Sequence, residues 1–107
     1  MVRSALLTLD TTPRRLSELL RGIVAGASKT YGQTLNDQVR EIQFKCDNGT
    51  VYIGSTSDVS PTNYGVKLLS GEGWRTADTE ANTHNLSDHW LVGSASGTLV
   101  SVNFHSV

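Results

Sequence analysis

The sequence predicts a mainly β protein: an antiparallel β-sandwich, jelly-roll-like or a flattened barrel, with one short amphipathic helix near the amino terminus. Three observations predict it. Short runs in which apolar and polar residues alternate recur along the chain, as in VREIQFKC, TVYIG and TLVSVNF. Turn residues separate these runs at close intervals: Asn48-Gly49, Pro61, Asn63-Tyr64-Gly65, Gly71-Glu72-Gly73 and Ser96-Gly97. Only one stretch, PRRLSELLRGIVA, carries the three-and-four spacing of a helix. Many short strands and a single helix describe two packed sheets with the helix over one end. The 107 residues fit one domain, 1–107, with a helix at 13–25 and polar loops at 28–38, 55–64 and 75–88.

Taken in order, Ala5, Leu7 and Leu9 define the apolar face of a first strand over residues 2–9, with Leu6 on the other face. Pro13 suits the first helical position, where its missing N–H would have had no partner. Leu16, Leu19, Leu20, Ile23 and Val24 form the helix's apolar stripe, and Gly26 is the expected left-handed cap. Residues 28–38 are polar and read as a loop or an extended arm. In 39–46, Ile42, Phe44 and Cys46 share one face and Glu41, Gln43 and Lys45 the other, as in a half-buried antiparallel strand. Asn48-Gly49 reads as a tight hairpin turn that pairs this strand with TVYIG, in which Val51 and Ile53 face one way and Tyr52 the other. A further strand at 66–69 ends in Ser70-Gly71-Glu72-Gly73. Residues 74–87 show no periodicity and read as a long excursion. HWLVGSA and TLVSVNF, turned at Ser96-Gly97, form an expected closing hairpin whose last strand is a candidate edge for a neighbour to extend.

Nine basic and ten acidic residues leave a formal charge of -1, so no global field recommends nucleic acid or an anionic membrane as a partner. Arg14, Arg15 and Arg21 form a local cluster, read as the solvated face of the helix. With one cysteine there is no intramolecular disulfide, and Cys46, set among Ile42 and Phe44, reads as a small buried hydrophobe. No run is long enough to cross a bilayer and the amino terminus lacks the apolar region of a secretory signal. The expectation is a soluble chain made in a reducing compartment.

Candidates for chemistry are few. His84, His89 and His105 with Asp78, Glu80 and Asp88 are the conceivable metal ligands, but their spacing is not that of a rigid metal-binding element. No Gly-x-Ser-x-Gly elbow and no glycine-rich loop opening a helix is present. The sequence therefore assigns no catalytic, cofactor or metal residue, and the chain reads as a non-enzyme without a cofactor. Asp58 beside Pro61 could hold calcium, although a carboxylate there more commonly accepts backbone N–H groups of the turn. Trp74, Tyr64 and Trp90 could form an aromatic platform for a sugar; packing inside the sandwich is the commoner fate of such rings.

Three stretches carry a resemblance: LLTLDTTPRRLSELL, then VREIQFKCDNGTVYIGSTSDVSPTNYGVKLLSGEGW, then NLSDHWLVGSASGTLVSVNF. Their order resembles small virion proteins encoded in the structural gene blocks of tailed bacteriophages, with residues 27–38 and 75–85 looking individual. The resemblance implies a β-sandwich that decorates or cements the capsid and stabilises the head through subunit contacts, or alternatively a head-tail connector or tail component. It implies the phage major capsid protein or neighbouring virion proteins as partners, a homo-oligomer on the particle, and the virion as location after synthesis in the host bacterial cytoplasm. Together with the polar segments it gives an expected assembly interface of Tyr31, Leu35, Asp58, Tyr64, Trp74, Arg75, His84 and His89. A carbohydrate-binding module is the reading from a different class.

Overall fold

Alternation decides which side chains meet. In the computed structural model, which describes residues 2–76 and 84–106, the strands β1 (Val2–Leu9), β3 (Gln38–Asn48), β6 (Gly73–Arg75), β7 (His84–Asn85) and β9 (Thr98–Ser106) form one antiparallel sheet. Its order is β1-β9-β3-β6, with β7 also on β3. Leu7 lies opposite Val100, Ala5 and Phe44 opposite Val102, and Ile42 opposite Phe104, so the apolar faces coincide and all are buried. The second sheet contains β2 (Arg14–Arg15), β4 (Thr50–Gly54), β5 (Val66–Leu69) and β8 (Trp90–Gly93), in the order β2-β8-β4-β5. Val51, Ile53, Leu68 and Leu91 point from it into the same core as Leu7, Ile42 and Phe104. The protein is thus a two-sheet antiparallel β-sandwich.

Both expected hairpins are absent, and for one reason. The chain crosses between the sheets at Gly49 (φ 85°), so β3 and β4 do not pair. Both sides of β3 are taken, by β9 on one and by β6 and β7 on the other, and the single residue left between Asn48 and Thr50 is too short for a two-residue hairpin loop. The turn at Gly97 (φ 87°) likewise carries the chain from β8 in one sheet to β9 in the other. Consequently the last strand is not an edge: β9 is central, paired with β1 and β3. The two corners meet at Thr98. This buried residue donates from Oγ1 to the Ala95 carbonyl at 2.8 Å and lies against Gly49 and Gly93.

The helix is shorter than its apolar stripe. Residues 14–15 are extended and pair with Leu91 and Trp90, so Pro13 lies outside the helix. The helix α1 covers Leu16–Arg21 and ends at Gly22, whose left-handed backbone (φ 81°) donates to the Leu19 carbonyl at 3.2 Å. The chain meets Gly22 before Gly26, and the earlier glycine ends the helix. Leu16, Leu19 and Leu20 are fully buried in the chain's own core, whereas Ile23 is half-exposed.

Residues 26–31 form a cover for β1, the outer strand of the first sheet. Gly26 O accepts from Thr8 N (2.7 Å), Ser28 N donates to Leu6 O (2.8 Å), and Ser28 Oγ accepts from Leu6 N (2.8 Å). The Tyr31 hydroxyl donates to Ser4 O (2.7 Å) and accepts from Ser4 N (3.2 Å). Edge groups that would otherwise template another strand are thereby matched within the chain. Beyond the cover, Arg21 Nη2 lies 2.9 Å from Asp37 Oδ1 and 2.8 Å from Leu35 O, pinning 35–37 against α1. The expected excursion at 75–88 is in part structured: β6, β7 and the 3-10 turn Leu86–Asp88 flank residues 77–83, and Asp78 and Glu80 lie outside the described residues. Strands of two and three residues are too short to display alternation. Among the described residues no helix is long and apolar enough to cross a membrane.

Candidate functional site: a cleft beside the second sheet

A cleft of about 650 Å³ opens where β5 of the second sheet comes near β6 and β7 of the first. The second sheet contributes Ile53, Gly54 and Val66; the loop between β4 and β5 contributes Ser55, Thr56, Val59, Asn63 and Tyr64. The first sheet contributes Trp74, His84 and Asn85, and the turn after β7 adds Asp88 and His89.

Each wall is fixed by local geometry. Trp74 lies opposite Phe44 in the ladder and stacks on it, with ring centroids 5.8 Å apart and planes 15° apart. His89 lies edgewise to Trp74 at 6.3 Å and tilted against Phe44 at 6.0 Å, and its carbonyl accepts from Leu16 N at 2.9 Å, tying this wall to the start of α1. Tyr64 stands half-exposed against Tyr52, 5.2 Å between centroids. The loop bearing it is closed by reciprocal Ser60–Asn63 backbone bonds and by Asn63 Nδ2 donating to Asp58 O at 3.2 Å. Thus Asp58 contributes its backbone carbonyl to the turn, alongside the hydroxyls of Thr56 and Ser60. Gly54 is required where it stands: a Cβ there would come within 2.9 Å of Val59 Cγ2.

Burial holds the His89 imidazole below its ordinary pKa; the neighbouring Asp88 pulls upward and His84 pushes further down. The ring is therefore neutral at neutral pH, a donor and acceptor rather than a cation. None of the described lining residues is a lysine or arginine. Such a surface suits noncovalent recognition of a ligand with both an apolar face and hydroxyl-like edges.

Four of the eight residues expected at an interface, Tyr64, Trp74, His84 and His89, meet in this cleft. Tyr31 and Leu35 line a smaller hollow of about 200 Å³ elsewhere, with Arg3 and Phe104; Leu35 is buried and Tyr31 packs edgewise on Phe104 at 5.5 Å. Arg75 lies on the exposed face of the first sheet, 3.5 Å from Glu41. The Glu41 carboxyl is held below its usual value first by Gln43, which donates to it at 2.9 Å, and then by Arg75. His105 sits opposite Glu41 on that same strand pair, away from His84 and His89. Among the described residues no three His, Cys, Asp or Glu side chains gather as metal ligands. The three aromatic residues do not form one platform, because Trp90 belongs to a separate cluster with Tyr52, Val59 and Val92 and is capped by the Arg15 guanidinium at 4.7 Å. Asn63, Asn85 and Asp88 complete the cleft; Asn85 and Asp88 reach it through the pairing of β7 with β3, which no local pattern announces.

Comparison of the chain with protein-family models, with curated proteins and with solved structures gave no match in any of the three.

Proposed function

We propose that this chain is a structural component of a tailed-bacteriophage particle, a decoration or cement subunit that stabilises the head by contacts with the major capsid protein and with its own copies. The observation that carries this reading is where the resembling residues lie. In VYIG…SDV, Gly54 leaves room for Val59; in the Gly71-Glu72 turn, the Glu72 carboxylate accepts from Leu69 N at 2.7 Å; in LVGSASGT, Gly93 leaves room for Thr98. These are scaffold positions. Of the two individual-looking stretches, 27–38 and 75–85, the first covers β1 with residues 27–31, and the described part of the second supplies His84 and Asn85 to the cleft wall. A shared scaffold with individual surface segments suits a subunit whose neighbours differ from one particle to another.

The covered β1 edge favours packing through faces and loops over strand addition. The exposed face of the first sheet offers such a surface, with Val2 and Leu6 exposed on β1 beside polar Ser101 and Asn103 of β9. Quantitative mass spectrometry of purified particles tests the proposal. A copy number comparable with that of the capsid subunit is expected; absence from particles overturns the reading, and a few copies per particle would move the chain to the head-tail connector or the tail.

A further inference from the structure

We propose that the cleft walled by Trp74, Tyr64 and His89 is a binding site for a neutral saccharide unit. The inference goes beyond the structural role above and does not rest on it.

Size is the first argument, since about 650 Å³ lies within the range of sites that take small organic ligands. Chemistry narrows the class. Among the described lining residues no lysine or arginine supplies a standing positive charge and His89 is neutral, which disfavours a phosphate, sulfate or carboxylate. Asp88 adds a carboxylate that would repel one. A wholly apolar ligand fits poorly too, because Asn63, Asn85 and Asp88 would lose hydration without replacement.

The remaining match is a molecule with an apolar face and a rim of hydroxyls. The C–H face of a pyranose ring lies on the electron-rich faces of aromatic side chains, and Trp74 is held in place by its stack on Phe44. Two side-chain amides, each donor and acceptor, and an acceptor carboxylate are the groups that pair with neighbouring hydroxyls. The walls are set before any ligand arrives: Trp74 by Phe44, Tyr64 by Tyr52, and the Asn63 amide by its bond to Asp58 O. Preorganisation of this kind lowers the ordering cost of binding.

The test is a titration of the isotope-labelled full chain with glucose, galactose, mannose, N-acetylglucosamine and their common disaccharides, followed by nuclear magnetic resonance. Saturable shifts are expected at the Trp74 indole N–H and at the Asn63 and Asn85 side-chain amides, with the Trp90 indole unmoved. Tyr64 is half-exposed, so Y64A should keep the native spectrum while weakening binding roughly tenfold, the scale of one lost aromatic contact. N85A, at a second exposed position, should weaken it comparably. The proposal is overturned if no sugar in the panel moves these resonances at millimolar concentration, or if the shifts centre on Trp90. It is equally overturned if inorganic phosphate or sulfate binds there in preference to sugars, or if only purified capsid protein perturbs the cleft. Particle copy number is a separate measurement, so either proposal can fail without the other.

Discussion

Gly93 and Gly97 are four positions apart and required for opposite reasons. A Cβ on Gly93 would come within 2.7 Å of both Cβ and Oγ1 of Thr98, at the point where the two inter-sheet corners meet. A Cβ on Gly97 would meet nothing within 4 Å, but its φ of 87° disfavours any L side chain. G93A is therefore expected to lower stability by about 3 kcal/mol, the upper end of overpacking costs, because the clash involves a Cβ that cannot rotate away. G97A should cost only about 1 kcal/mol of backbone strain. Urea denaturation of the two variants checks the ordering, and equal losses would contradict it. His89 supplies a second prediction. Its native pKa lies below the unfolded value of 6.5, so as pH falls past that value the unfolded chain binds a proton that the native imidazole refuses. Stability contributed by the neutral ring is complete above that value and declines below it until the native pKa is crossed. In H89Q the acid-side decline measured by denaturation at successive pH values should flatten, while the carboxylates keep their own dependence. At this scale the sequence was a good guide. The core-facing residues of β3 and β4 and the buried thiol of Cys46 follow from a period of two that is written locally, whereas Tyr52, also buried, packs in a second cluster on the other side of β4. Burial also raises the thiol's pKa, in keeping with an inert side chain.

Elements were legible in kind but less so in their ends and partners. The apolar stripe identified α1, yet its length was decided by Gly22 and by pairing of Arg14 and Arg15 with β8, a contact between residues far apart in the chain. The hairpin signals at Asn48-Gly49 and Ser96-Gly97 correctly marked sharp turns. A local turn signal does not say whether the outgoing strand returns beside the incoming one or crosses to the facing sheet; that was decided by strands from elsewhere in the chain, β9, β6 and β7 beside β3, and β2 and β4 beside β8. Half of the expected interface residues converge on the cleft, whereas Tyr31 seals the β1 edge and Leu35 is buried beside α1, because an arm that looks polar in sequence can still be packed down. That seal is testable. Y31F removes the one hydroxyl that serves both Ser4 N and Ser4 O, so it should cost about 1 kcal/mol and increase self-association, seen by denaturation and by light scattering. L20A deletes a fully buried side chain of α1 and should cost about 2–5 kcal/mol, which would show that six helical residues are held by packing rather than by intrinsic helicity.

At the scale of the whole molecule, the two crossings make the sheets interdependent. One core contains Leu7, Ile42, Val100 and Phe104 from the first sheet with Val51, Ile53, Leu68 and Leu91 from the second, and neither sheet can shield its inner face alone. Loss of either sheet should therefore unfold the other, giving a single cooperative transition. The chain's two tryptophans fall conveniently, Trp74 on β6 of the first sheet and Trp90 on β8 of the second. W74F leaves a fluorophore reporting only the second sheet and W90F one reporting only the first. Each variant shifts stability somewhat, so the comparison is internal: in each, the urea midpoint from fluorescence should coincide with the midpoint from far-ultraviolet circular dichroism. Separated midpoints in either variant would show that one sheet outlasts the other. Kinetics should agree with this topology. Because β9 pairs with β1 and β3 across most of the chain's length, the native order is assembled from non-local contacts, and refolding is expected in milliseconds to seconds rather than microseconds. G93A, placed where both crossings meet, should raise the unfolding rate seen by either tryptophan alike if Thr98 couples the two sheets, and by only the Trp90 probe if the corner serves β8 alone.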